Sequence, residues 1–419
     1  MKKSKPMWSI YFFLYIVFFL SQPYDLLWSV HEPYKVDPTV GFTVRSSQEG
    51  SIQRRIALIS LCLFIFSCIL RRRYRRLNIN GVLGWAIIFF LVWTSLSIFW
   101  SSDPAMTVRK DVVLIIIGLG ALAISQCLSL LQIMFFIIFS GTLTLILGVL
   151  SEVFLGLFSP FRAEYRFGGI THPTFQGWSL GLLFLASFFL SKKYRSKRFI
   201  YYSLELVSFI FLILTKARGP VWGVLITIIV YVLYTTSRPR KLALVYLAIF
   251  SALILVFMYV SIFGEQIIDF MSNIIILGRE KGATVTLTGR LPLWQQTIPF
   301  IGHRPFNGYG YETFWTSDNL TTFAKAQGWA LPDAHSGYVN MLLGIGIIGL
   351  FVYILILALG ISRSLSVYKI NGKTEYLFAC MSIVFLIMNI VVVGGQLEPY
   401  LTSFAHLAII AKIGFSRIT

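Results

Sequence analysis

The chain has 419 residues, of which 57% are hydrophobic and only 13% charged, with a formal net charge of +19. A soluble domain carries about 25% charged residues, so a water-facing globule is excluded. The apolar blocks are continuous, which also excludes a β-barrel built from alternating segments of roughly ten residues.

A membrane helix needs about 20 apolar residues, and this rule places about twelve spans. They cover 7–23, 56–70, 81–100, 111–126, 129–151, 174–191, 199–215, 219–236, 242–264, 337–361, 376–394 and 400–415. The expected fold is therefore an all-α polytopic membrane protein. The Lys-rich N-terminus and its apolar run resemble a signal peptide, but no small-residue cleavage site follows at Ser21-Gln22-Pro23, so they read as an uncleaved first helix.

Lys and Arg gather in short loops, as cytoplasmic loops do. With the N-terminus inside, 21 of the 36 basic residues fall on inside segments, including Arg71–Arg73, Lys192–Arg198 and Arg238–Lys241, against one loop acid, Glu375. Fifteen of the 17 acids fall outside, counting Asp111 at a span edge. Both termini are then cytoplasmic. The positive charge is thus topological, and no nucleic-acid partner is expected because no binding motif accompanies it. Glu205 lies inside a span but near Lys192–Arg198, and reads as snorkelling to the interface. Cys62, Cys68, Cys127 and Cys380 sit in or beside spans without metal-ligand spacing, and read as small hydrophobes.

The chain divides into helices 1–9 with their loops (1–264), one long external loop between spans 9 and 10 (265–335), and the last three helices (336–419). A connection that long is usually functional or disordered. Its aromatic residues, Trp294, Phe300, Phe306, Tyr309, Tyr311, Phe314 and Trp315, predict that it folds on the membrane face.

Five external segments carry candidate chemistry. Lys216-Ala217-Arg218-Gly219-Pro220 reads as a tight turn between spans that holds Arg218 near the bilayer surface, either in a site or on lipid phosphate. Thr288-Gly289-Arg290 opens an amphipathic Leu/Trp/Ile pattern that suits an interfacial helix, with Trp294 on it. Further on, Gly308 and Gly310 around Tyr309 permit unusual backbone angles or close approach by a ligand. Asp333-Ala334-His335 stands where the loop re-enters the membrane. A histidine titrates near neutrality, so His335 is a candidate base whose pKa or tautomer Asp333 would set, or else a solvated interfacial residue. His172, in Phe167–Pro173, is a second candidate base, and Trp100–Arg109 is an external loop bearing Arg109. Gly344-Ile345-Gly346-Ile347-Ile348-Gly349 matches a dinucleotide-binding pattern, but such a motif needs a βαβ unit. Within a membrane helix it reads as close helix packing. The external loops hold no paired-acid, His-Glu-x-x-His or Cys-pair motif, so no metal is expected and Arg must supply any countercharge.

Together, Thr288-Gly289-Arg290, Trp294, Pro305, Gly308-Tyr309-Gly310, His335 and the Gly-rich span after it resemble the O-antigen ligase and polymerase superfamily. The likeness covers about residues 90–360 and is sharpest from 287 to 350. The stretch from Leu287 to Trp315, and Trp100-Ser101-Ser102-Asp103-Pro104, are closest to the exopolysaccharide polymerase branch. Ser336 departs from the Asn that follows the His in many members. The resemblance implies a GT-C-like protein of the bacterial inner membrane with its site on the periplasmic face. It implies transfer of a glycan from undecaprenyl diphosphate to an acceptor hydroxyl, inverting and without metal or cofactor. The acceptor would be another lipid-linked repeat in a polymerase, or lipid A core in a ligase. Arg is suited to diphosphate, so Arg218 and Arg290 would clamp the leaving group while His335 accepts or orients the acceptor proton. Arg109, His172, Lys216, Trp294, Gly308, Tyr309 and Gly310 are expected to bind substrate or support the loop. The contrasting reading is a transporter or flippase, which predicts internal repeats and mid-membrane charges; neither stands out.

Overall fold

The structure, a computed structural model, describes residues 7–22, 51–70, 78–162, 165–235, 290–327, 333–391 and 394–416. These residues form thirteen α-helices: α1 (Trp8–Ser21), α2 (Ile52–Leu70), α3 (Gly81–Leu96), α4 (Pro104–Cys127), α5 (Leu130–Phe154), α6 (Pro173–Lys193), α7 (Arg198–Leu214), α8 (Arg218–Thr235), α9 (Arg290–His303), α10 (Ser317–Gln327), α11 (Gly337–Asn371), α12 (Thr374–Ile390) and α13 (Leu401–Phe415). Eleven of the predicted spans coincide with helices. The ninth, 242–264, lies outside the described residues, as do most of the first loop, the basic runs at 71–76 and 238–241, loop residues 265–289 with Thr288 and Gly289, and Arg417.

Among the described residues, six helical segments are long and apolar enough to cross a membrane: Ile52–Leu70, Gly81–Trp100, Leu130–Phe154, Pro173–Lys193, Arg218–Thr235 and Gly337–Asn371. Trp8–Ser21, Thr374–Ile390 and Leu401–Phe415 are shorter apolar helices. Among the described residues all regular structure is helical, and the chain is a multi-pass membrane protein.

Helices α6 and α13 lie innermost, with most of their residues buried. Helices α2 and α7 are peripheral and expose Ile56, Ile59, Leu63, Phe66, Leu206 and Ile210. In lipid such faces cost little, and association depends on close packing instead. Small residues supply it here: α6 and α8 close on Phe385 of α12 at Gly181 and Gly223. Opposite charges join one end of the bundle, where Lys193 of α6 meets Glu375 of α12 at 2.6 Å. Glu205 of α7 neighbours Ser191 and Lys192 at the same end, but one of its carboxylate oxygens is buried rather than turned out to the interface.

Two helix starts and one helix interior differ from expectation. Helix α4 begins at Pro104 rather than 111, because the Asp103 carboxylate accepts the Met106 N–H at 3.0 Å and proline suits a first turn. Arg109 is therefore helical, not in a loop. Helix α8 begins at Arg218, since Pro220 is tolerated within a first turn, and the link shrinks to Thr215–Ala217. The glycine run in α11 is not a plain helix-packing surface. Gly346, at φ +66 and ψ −172, adopts a conformation essentially reserved for glycine and kinks the helix. At this break the loop segment 305–310 docks by main-chain hydrogen bonds. Tyr309 N–H donates to Leu343 O, Gly310 N–H to Gly344 O, and Ile347 N–H to Pro305 O, each at 2.8 Å.

Candidate active site

His335 stands just before α11 at φ +49, a left-handed conformation uncommon outside glycine. Its turn is bound on both sides. The His335 N–H donates to Asp333 Oδ1 at 2.6 Å, and the Ala334 N–H donates to Asn340 Oδ1 at 3.1 Å. The Asn340 oxygen also accepts the Trp315 indole N–H at 3.0 Å, and Ala334 O accepts the Trp294 indole N–H at 2.9 Å. Asp333 therefore orders the backbone. Its carboxylate lies 3.9 Å from His335 Nδ1, outside hydrogen-bond range of the ring.

Arg290 begins α9, so the amphipathic pattern does start a helix there. Trp294 follows one turn later, and its bond to Ala334 joins this helix to the His335 turn. A small apolar cluster of Leu293, Phe314, Trp315, Leu320, Phe323, Ala334 and Leu343 packs beneath the pair. The loop is also stitched to the end of α3. The Trp100 indole donates to Asn307 O at 2.8 Å, Arg304 to Trp100 O at 3.1 Å, and the Ser102 N–H to Tyr309 O at 2.9 Å. The Trp100–Asp103 motif thus serves as a docking edge and a helix start. Gly308 and Gly310 have positive φ as expected, but the close approach is made by the chain itself. A Cβ at Gly308 would press on the Gly344 carbonyl at 2.6 Å, and one at Gly310 would strike Ser101. Their role is to seat the loop. Tyr309 donates its hydroxyl to Phe300 O at 3.0 Å and lies under Arg304.

Arg218 lies on the other side of the same end of the bundle. Lys216 precedes it at φ +50. Segment 165–171 clasps this turn: the Phe167 N–H donates to Leu214 O at 2.9 Å and Arg166 Nε to Thr215 O at 3.3 Å. Arg166 therefore joins Lys216 and Arg218 around one turn. The clasp is anchored by Glu152, 2% exposed, which accepts the N–H groups of Gly168 and Gly169 at 3.0 and 2.8 Å and the Tyr165 hydroxyl. Burial first, and the Glu152 carboxylate second, push the Tyr165 phenol above its ordinary range, so it stays a donor. His172 is not placed as a free base. Its Nδ1 caps α6 by accepting the Thr174 N–H at 3.2 Å, so protonation there would break the cap.

The two sides are connected through α12 (Thr374–Ile390) and the segment 394–396 beyond it. Asn389 packs at Gly223 of α8, Gly394 lies against the Asp333 carboxylate, and the Gln396 amide lies against Gly337. The structure thus gathers Arg290, Trp294 and His335 into one unit and sets Lys216 and Arg218 across the same end. Arg109 is exposed on α4, and no described hydrogen bond or ion pair joins it to the others. Sequence reasoning missed Glu152, Arg166 and Asn340. Glu152 ends a span 16 residues before its glycine partner, a spacing that carries no motif.

Residues 204–354 match the family described as O-antigen ligase. This segment contains Arg218, Arg290 and His335. Comparison with curated proteins gives no match.

Proposed function

We propose that this member of the O-antigen ligase/polymerase superfamily transfers a glycan from a polyprenyl diphosphate carrier, undecaprenyl diphosphate in bacteria, to an acceptor hydroxyl. The single observation that carries the reading is the Trp294–Ala334 hydrogen bond, which ties the helix begun by Arg290 to the turn bearing His335. The reading takes His335 as the base and Arg290 and Arg218 as the two permanent cations of one site.

In the proposed step the acceptor oxygen attacks the anomeric carbon in line as the bond to the carrier diphosphate breaks. His335 takes or orients the acceptor proton. Arg218 and Arg290 stabilise the charge left on the diphosphate, which is a good leaving group and needs countercharge more than a proton. The configuration inverts and no metal is required. Basic residues at the opposite end support a site on the external face of the inner membrane with both termini cytoplasmic. The branch resemblance favours a repeat-unit polymerase over a ligase.

The test is transfer by the purified full chain in bilayer discs, given native carrier-linked glycan and EDTA, with and without lipid A core. Longer chains on the carrier without added acceptor identify a polymerase. Product only with lipid A core identifies a ligase. No transfer in either tube, with donor intact and protein folded, overturns the enzyme reading in favour of a transporter.

A further inference from the structure

Two of the four cysteines meet at the end of the bundle opposite the candidate site. Cys68 Sγ of α2 and Cys127 Sγ of α4 lie 3.8 Å apart. The contact follows from the register of the two helices. A Cβ on Gly120 of α4 would lie 3.1 Å from Leu61 of α2. A step of seven residues along each helix, from 61 to 68 and from 120 to 127, is about two turns and leads from this pair to the two thiols. The helices therefore run parallel along one seam, closed by a glycine at one rung and by two cysteines at the next. Phe135 of α5 meets Tyr194, just beyond α6, with ring centroids 5.9 Å apart, so this is also the end that carries Lys193 and Glu375.

The two thiols differ in their surroundings. Cys68 is 4% exposed, whereas Cys127, the last residue of α4, is half-buried. Lys412 of α13 reaches the same place: its ammonium donates to Ser125 O at 2.6 Å and interacts electrostatically with Cys127. A cation beside a partly accessible sulfur favours the thiolate, the form that peroxides oxidise. A second thiol in contact supplies what a sulfenic acid needs for its resolution. To bond, the sulfurs close to about 2.05 Å by rotation of side chains on helices already packed together.

We propose that Cys127 is a site of oxidation by hydrogen peroxide and that Cys68 resolves it. The Cys127 thiolate attacks one peroxide oxygen, the O–O bond breaks, and Cys127 sulfenic acid forms with release of hydroxide, which takes up the proton the thiol had lost. The Cys68 sulfur then displaces the sulfenic hydroxyl, which leaves as water with the Cys68 proton, and the disulfide forms. Two thiols are oxidised, one peroxide is reduced, and two waters leave. The product ties the peripheral helix α2 to α4 covalently, and small thiols reverse it by exchange. The step is independent of glycan transfer.

The test uses the full chain in bilayer discs, reduced and then exposed to hydrogen peroxide. Remaining thiols are alkylated after denaturation and the peptides mapped by mass spectrometry. Wild type gives a Cys68–Cys127 linked peptide that dithiothreitol removes, with Cys62 and Cys380 still alkylated. With dimedone present, Cys68→Ser accumulates the sulfenic acid adduct on Cys127, while Cys127→Ser leaves Cys68 a thiol. Lys412→Met slows loss of the Cys127 thiol about tenfold, as expected when the cation favouring the thiolate is removed, and Lys412→Arg restores the rate. A folded wild type that yields no linked peptide, or that oxidises Cys62 as fast as Cys127, overturns the proposal and leaves the contact as packing. A dimedone adduct on Cys68 in Cys127→Ser overturns the assignment of roles. If Lys412→Met does not fold, the wild-type map decides.

Discussion

The turns carrying Lys216–Arg218 and His335 have nearly the same strained residue, at φ +50 and +49, but they are held by different chemistry. A buried carboxylate holds the first at one remove: Glu152 fixes Gly168, Gly169 and Tyr165, whose segment clasps the turn. The second is held directly, by the Asp333 carboxylate on the His335 N–H and by a wider neutral network of two indoles, the Asn340 amide and a kinked helix that receives the loop backbone. One carboxylate with three donors concentrates the cost of failure in a single residue. The indole and amide network spreads it over several.

The largest effects are expected on the chemistry that both turns present. His335→Ala is expected to lower initial transfer rates by about 10²–10⁴-fold. Arg218→Lys and Arg290→Lys should each cost about 10²-fold, since an ammonium cannot reproduce the planar fork. Rates in discs at matched protein levels check this, and normal rates in all three would remove the proposed machinery.

Next comes the seat of the loop. Gly346→Ala places a Cβ onto the Phe306 carbonyl in a backbone conformation that only glycine adopts, and should destabilise by about 3 kcal/mol. Thermal unfolding in detergent reads it, and an unchanged midpoint would mean that the loop does not depend on the kink.

The comparison itself is tested by Glu152. Glu152→Ala strands three donors and should cost about 2–3 kcal/mol, while Glu152→Gln keeps an acceptor and should recover roughly half. Equal losses in both would show that the carboxylate charge, not its hydrogen bonds, matters. The smallest effect belongs to Trp294→Phe, at about 1 kcal/mol for one indole hydrogen bond. Because the two networks share no described hydrogen-bond partner, the Glu152→Gln/Trp294→Phe double variant should be additive within about 0.5 kcal/mol. Coupling beyond that would show the halves to be one unit.

Hydropathy alone located every described membrane helix, because lipid demands long apolar segments with internally satisfied backbones. The errors fell at polar ends: α4 starts at Pro104 rather than 111, and α11 runs on to Asn371 rather than stopping at 361. Pro104 and Arg218 were read as loop because charge and proline imitate a turn, whereas caps and first-turn geometry admit both. The candidate site was legible in part. Arg290, Trp294 and His335 stood out as an arginine, an aromatic and a titrating group on polar stretches. Gly308 and Gly310 were recognised as special, but the partner of their close approach was not.

What the sequence by itself determined was the membrane class, the run of helices and the residue types able to handle a charged carrier. These follow from composition and local order along the chain. Tertiary structure alone decided that His172 is a cap, that the α11 glycines receive a loop, and that Glu152 braces a turn some 60 residues away. It also decided that Cys68 and Cys127 meet. Each depends on which backbone atoms meet across long sequence separations, and such meetings leave no periodic trace in the chain.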